Sequence, residues 1–292
     1  MDEIKKYLAH EGKVNITCID STDLVEEARK IHDLSPLATA ALGRLLTMGA
    51  MMSSTFKSDD ESLTLQIKGG GPIGSMTCVA DYNSIVKGYV GNPQIDLPLK
   101  ENGKLDVGSA VGTEGVLNII KDIGLKEPYV GITPLVSGEI AEDFTKYYAE
   151  SEQVPTVIAL GVLVDKNGVK KAGGYMISLM PDAGEEEISK IENAIGNAKS
   201  ISAMLDDNLS LQEIAEIVTG DDNLMVMLKE IHPQYKCDCN KDRFRNGLSA
   251  IGKEDLEEIV NEEEQIETVC HFCNKKYIFS KDELEEILNN IK

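Results

Sequence analysis

Residues 35–52 read SPLATAALGRLLTMGAMM, and their reading decides what the rest of the chain must build. Ser35 suits an N-cap, Pro36 suits the first helical position, and the following residues continue without a breaker strong enough to stop a helix. Arg44 is the stretch's only charge, so the predicted helix has no polar face and must be enclosed on all sides. The sequence around it supplies the enclosure. Leu63, Leu65 and Ile67 alternate with Ser62, Thr64, Gln66 and Lys68, the two-residue period of a half-buried strand. Similar short runs follow at 75–81, 84–90 and 129–136. Val157–Val164, the turn Asp165-Lys166-Asn167-Gly168 and the return Tyr175–Met180 predict a hairpin, because Asn-Gly tolerates the positive φ such turns need. A second helix is expected over SGEIAEDFTKYYAESEQ, starting at Ser137 with acids in its first turn. The expected fold class is therefore α+β: a mainly antiparallel sheet core with a buried helix, over residues 1–180.

Charge and periodicity change near Pro181. The 292 residues carry 50 Asp+Glu against 29 Lys+Arg, a net charge of -21. Of these, 26 acids and 12 bases fall in 181–292. Such a chain is repelled by phosphate backbones and anionic lipid, so nucleic acid and membrane are excluded as expected partners. The first residues, MDEIKKYLAH, lack the apolar run of a signal peptide, and a cytoplasmic location is expected. From 181 to 235 the period is helical: EEEISKIENAIGNAKSISAML places Ile188, Ile191, Ile195 and Ala198 on one face, and LSLQEIAEIV and DDNLMVMLKEI follow as expected helices. Short and acidic, they would be marginal alone and must pack on something. Residues 236–292 are too poor in apolar side chains to expect an independent core.

That last piece holds four of the six cysteines, Cys237-Asp238-Cys239 and Cys270-His271-Phe272-Cys273. Two thiol pairs joined by such a loop predict a tetrahedral thiolate zinc site, one ion per chain, held by Cys237, Cys239, Cys270 and Cys273. With all four positions filled, no water site remains for hydrolysis, and His271 and His232 are spare. Lys236, Lys241, Lys275 and Lys276 flank the pairs and are expected to favour thiolates. In an extended segment the C-x-C Cα atoms lie about 6.6 Å apart, the upper edge of disulfide geometry, so the same residues serve as metal cage or as local disulfides. Cys18 and Cys78 sit in apolar alternating runs and read as core thiols, and Met48, Met51 and Met52 as core filling. Gly69, Gly71 and Gly74 fit G-x-G-x-x-G, but Pro72 lies inside and a strand follows, so a tight turn is expected instead of a dinucleotide loop. No catalytic constellation is present, and the chain is not expected to be an enzyme.

C-x-C with C-x-x-C, preceded by KGGGPIGSMTCVADYNSIVKGYVGNP (68–93) and SGEIAEDFTKYYAESEQVPT (137–156), resembles the redox-regulated 33 kDa heat-shock chaperonin family over essentially the whole chain. The resemblance implies an ATP-independent holdase that binds unfolding proteins and prevents their aggregation under oxidative stress. It implies a reduced, zinc-bound, inactive state and an oxidised state in which zinc is released and Cys237 pairs with Cys239, Cys270 with Cys273. It also implies a homodimer, transfer of clients to an ATP-driven refolding chaperone, and a metastable helical linker at 181–235 before a zinc-binding redox-switch domain at 236–292. The rival expectation is a structural zinc-ribbon binding protein without redox switching. It differs in one observable, activation by oxidant.

Overall fold

The Ser35 hydroxyl accepts the Ala38 amide at 3.2 Å, Pro36 follows, and the helix runs Pro36–Ser53 (α2) in the computed structural model, which describes residues 1–291, with 228–230 by backbone alone. Every residue of α2 from Leu37 to Ser53 except Arg44 is buried, as a helix without a polar face demands. It packs against strands of two sheets. One is wholly antiparallel, in the order β10 (Met225–Ile231), β1 (Glu3–Ala9), β2 (Val14–Asp20), β9 (Gly168–Leu179), β8 (Thr156–Asp165). The other runs β11 (Gln234–Tyr235), β5 (Ile85–Val90), β4 (Ser75–Asp81), β3 (Ser62–Lys68), β6 (Val116–Asp122), β7 (Tyr129–Pro134), and only its β11–β5 pair is parallel. Helices α1 (Thr22–His32), α3 (Val107–Val111) and α4 (Ala141–Tyr147) complete this layer. Cys78, Met48, Met51 and Met52 lie in the core around α2. Arg44, the one charge, is matched: its Nη1 donates to Glu139 Oε2 at 2.7 Å, and Glu139 also accepts from Lys100. Burial pushes the Glu139 carboxyl up, but these two cations outweigh it and hold it below the usual range.

Three expectations change. The helix read from Ser137 starts at Ala141, because the Asp143 carboxylate inside the first turn accepts the amides of Val136 (2.7 Å), Ser137 (3.2 Å) and Ile140 (2.9 Å). An N-terminus capped from within has no need of Ser137. DDNLMVMLKEI is not helical: its apolar run becomes β10, pairing with β1 so that Tyr7 faces Val226 and Leu8 faces Met225. A short apolar run fits a strand or a helix equally, and a partner strand more than 200 residues away decides. EEEISKIENAIGNAKSISAML is two helices, α5 (Glu185–Asn197) and α6 (Ile201–Asp206), broken at Ala198, where ψ is 149°. The G-x-G-x-x-G segment is the β3–β4 turn, as read. Gly71 lacks a Cβ because one would sit 2.3 Å from the Ala110 carbonyl.

Val14, Ile16 and Cys18 of β2 point away from α2, and α5, α6 and α7 (Leu211–Thr219) cover that second face of the five-stranded sheet. Ile191, Ile201, Met204, Leu205, Leu211, Ile214 and Val218 form a separate apolar layer there with Tyr7, Tyr175 and Ile177. The β1–β2 turn pins both ends of this layer. Lys13 pairs with Glu187 of α5 at 2.7 Å, and the His10 ring meets the Thr219 carbonyl at 2.8 Å.

The chain divides into two compact units, Met1–Lys236 and a second that begins at Cys237. The latter contains α8 (Lys241–Ser249), α9 (Lys253–Glu262), the antiparallel pair β12 (Gln265–Val269) and β13 (Lys276–Ser280), and α10 (Lys281–Asn290). Among the described residues, no helix is long and apolar enough to cross a membrane.

The tightest contact of α2 yields a stability prediction. A Cβ on Gly49 would sit 2.6 Å from Cys78 Sγ. Gly49→Ala should therefore cost about 1–3 kcal/mol of overpacking, more than the ~1 kcal/mol of helix propensity it gains. Adding Cys78→Ala should return part of that loss, read as a recovery of the urea-unfolding midpoint.

Candidate metal centre

Cys237 and Cys239 lie on the extended stretch between β11 and α8, and Cys270 and Cys273 lie in the turn joining β12 to β13. That turn is built by its backbone. The Cys270 carbonyl accepts the amides of Cys273 (3.3 Å) and Asn274 (2.8 Å), and the Cys270 amide donates back to the Lys275 carbonyl (2.9 Å). Asn274 takes the left-handed conformation, φ 56°, that closes the loop and that Asn tolerates well. On the other side, Asn240 caps α8 by accepting the Arg243 amide at 2.9 Å, so the helix begins directly after Cys239 and fixes it.

The two arms converge. All four sulfurs lie within 4.8 Å of one another, with Cys237 Sγ 3.7 Å from Cys270 Sγ and Cys239 Sγ 3.3 Å from Cys273 Sγ. Sulfurs bound at about 2.3 Å to one tetrahedral ion stand about 3.8 Å apart, so the cluster has the donor set and nearly the span of a four-thiolate cage. Cys270 is buried and the other three are half-buried. The four residues singled out in the sequence are thus brought together, and the cluster could hold a metal ion. The histidines are outside it. His271 is exposed, and His232 bonds to the Asp2 carbonyl at 3.0 Å.

The sulfurs are not equivalent. Burial pushes the thiols of Cys237 and Cys273 up. For Cys239 burial acts the same way, yet hydrogen bonds from Tyr277 and the neighbouring thiols outweigh it and hold it below the ordinary value. Two of the four flanking lysines are paired with carboxylates: Lys241 with Glu283 at 2.5 Å and Lys276 with Glu267 at 2.8 Å. Tyr277, absent from the sequence reading, is the added member. Its one sequence signal is the alternation Tyr277-Ile278-Phe279, which turns Tyr277 and Phe279 inward.

Beneath the sulfurs the core is small. Leu256, Val260, Tyr277, Phe279, Leu284 and Ile287 are its buried side chains.

Comparison with known proteins agrees with this geometry. The family model described as "Hsp33 protein" matches residues 2–280. The 33 kDa chaperonin of Caldanaerobacter subterraneus subsp. tengcongensis is 47% identical over 288 residues, covering 98% of each chain. That of Clostridioides difficile is 47% identical over 290 residues, covering 99% of each. The crystal structure of the 33 kDa chaperonin from Thermotoga maritima superposes with a TM-score of 0.90 at 40% identity, covering 98% of both chains.

Converting Cys237 and Cys239 together to Ser should abolish metal retention. Hydrogen exchange should then show loss of protection from residue 237 onward, while strands β1–β9 around α2 keep theirs. Retained metal in that variant would show that the four sulfurs are not the site.

Proposed function

The chain belongs to the Hsp33 family of 33 kDa chaperonins, and from that premise we propose that it is an ATP-independent holdase switched on by oxidation. The observation that carries the reading is the convergence of two cysteine pairs, each short enough to close on itself, over a core too small to stand alone. In the reduced state Cys237, Cys239, Cys270 and Cys273 would hold one zinc ion per chain. Zinc, when bound, supplies folding free energy that this unit's few buried side chains do not.

Oxidation uses the same sulfurs. One thiolate of a pair attacks a peroxide oxygen, giving a sulfenic acid and hydroxide; its partner thiolate then displaces a second hydroxide and forms the disulfide. Each pair loses two electrons and one peroxide is consumed. The family resemblance implies Cys237–Cys239 and Cys270–Cys273 as the products. Either crossed pairing, Cys237–Cys270 with Cys239–Cys273 or Cys237–Cys273 with Cys239–Cys270, would staple the two arms together. Local pairs leave no cross-link between the arms and no thiolate to hold a cation.

The opening then reaches 181–235, the proposed linker between a core at 1–180 and the switch at 236–292. Ile191, Leu211 and Ile214, now buried against the five-stranded sheet, would be freed for clients, with Ile188, Ile195 and Leu224 beside them and Ile217 already exposed. Leu228 belongs to the same expected set and lies outside the residues described by side chain. Clients of this chemistry are unfolding proteins with exposed apolar surface. Action as a homodimer in the cytoplasm, and delivery to an ATP-driven refolding chaperone, complete the proposal.

Peroxide with mild heating should convert the reduced, zinc-loaded protein from inert to active in suppressing light scattering by an aggregating test protein. Full suppression by the reduced form would refute the switch. Amides in 181–235 should be protected before oxidation and lose protection after it.

The Lys13–Glu187 contact gives a further prediction. The Lys13 hydrogen bond, with the Gly184 amide, holds the Glu187 carboxyl at about 2. A carboxyl depressed in the fold adds stability above its ordinary value of about 4.3 and loses it only as pH falls toward 2. Mild acid therefore leaves this contact intact. Glu187→Gln removes its charge at neutral pH and should lower the temperature at which peroxide activates the chaperone, as read in the same scattering assay.

A further inference from the structure

The donors to the four sulfurs differ in kind. Cys237 and Cys273 take hydrogen bonds from main-chain amides, those of Cys239 and Lys275. Cys239 takes one from a side chain: the Tyr277 hydroxyl lies 3.2 Å from its sulfur and 2.9 Å from its carbonyl oxygen. The hydroxyl donates its one proton to the Cys239 carbonyl, which can only accept, and a metal-bound thiolate has no proton to give back, so toward the sulfur the hydroxyl offers that same proton in a shared, three-centre bond. The hydroxyl is held in place by its ring. Tyr277 is buried, its ring lies 4.9 Å from that of Phe244, Lys275 Nζ sits 5.3 Å from its centroid, and its backbone is tied to the Thr268 hydroxyl at 3.3 Å.

We propose that Tyr277 is a positioning residue that restrains the reactivity of Cys239 by hydrogen bonding to its metal-bound sulfur, and so sets how much oxidant the site withstands before it opens. A hydrogen bond draws electron density from the sulfur lone pair that must attack an electrophile. Removing a partner in this outer layer typically costs a metal site about 10–100-fold in affinity or activity. A main-chain amide is removed only by proline, which also constrains the backbone, whereas phenylalanine removes the tyrosine hydroxyl and keeps the ring. This inference rests on the metal-cage reading above and adds to it which sulfur is tuned and by what.

Tyr277→Phe keeps the ring, its packing and the β13 backbone, and deletes only the donor. The test uses the full-length reduced protein loaded with cobalt, whose sulfur-to-metal charge-transfer absorption reports electron density at the ligating sulfurs. In Tyr277→Phe this absorption should move to longer wavelength. Zinc release by peroxide, followed with a chromogenic chelator, should run about three- to tenfold faster, as expected for losing one ordinary hydrogen bond. Thr268→Val loosens the same strand without touching sulfur, and should leave both the absorption and the release rate at the parent values.

An unshifted charge-transfer band in Tyr277→Phe would overturn the proposal while leaving the cage reading standing. So would equal acceleration in Thr268→Val, which would make the effect one of general loosening. Absence of any cobalt–thiolate absorption in the parent protein would overturn the cage reading, and this inference with it.

Discussion

In the unit that begins at Cys237, six large side chains are buried and four sulfurs meet above them. Seven more apolar side chains, Phe244 and Leu248 among them, are only partly covered. A core this thin is typical of small domains that lean on a metal or a cross-link. The convergence of Cys237, Cys239, Cys270 and Cys273 is the constraint around which this unit is arranged, and on the proposed reading whatever controls those sulfurs controls whether it is folded. The first unit has no such dependence. Its α2 is enclosed by two sheets, and its core continues through Leu24, Leu65, Leu117 and Phe144.

What could be read in the sequence, and what could not, divides along local and distant interactions. The identity of α2 is local: a cap, a proline and eighteen residues with one charge admit no other enclosed element. The cysteine cage is nearly so, because pair spacing and the poverty of the surrounding core both lie on the page. By contrast β1 carries no strand signal of its own, β2 shows only the alternation around Cys18, and β10 reads as a helix, because their partners lie far along the chain: Ile16 faces Ile177, and Tyr7 faces Val226. Asp143 displaced the expected helix start through a carboxylate reaching back to the Val136 amide. Tyr277 is the clearest case at the site. It stands four residues from Cys273, yet its hydroxyl meets Cys239, 38 residues away, and no spacing rule announces that contact.

The acidity of the second part of the chain bears on the same balance. Residues 181–292 carry 26 acids against 12 bases, and α5 opens with Glu185, Glu186 and Glu187 together. Like charge on a compact layer works against compactness, which narrows the gap between packed and open linker. The same charge makes the open state soluble, since a segment rich in acid resists collapse on itself. On the proposed reading one composition thus serves both halves of a reversible opening. The apolar face holds the layer to the sheet while closed, and the acidic face keeps it dispersed when open.

The order of elements along the chain adds direction to that opening. Lys236 immediately precedes Cys237, and it is tied to the first unit by its amide to the Val86 carbonyl at 2.9 Å. Before it comes β11, two residues long and the one parallel pairing in its sheet, secured by the Tyr235 hydroxyl donating to the Gly88 carbonyl at 2.8 Å. Before that comes the edge strand β10, with Met225, Val226 and Met227 substantially exposed. Only then does the chain reach α7, whose Leu211, Ile214 and Val218 are fully committed to the apolar layer. Short pairings and exposed edges open at the lowest free energy. On the proposed reading, disorder that starts at Cys237 would therefore meet the weakest attachments first and the apolar face last, so the surface offered to clients would be uncovered only at the end of the opening.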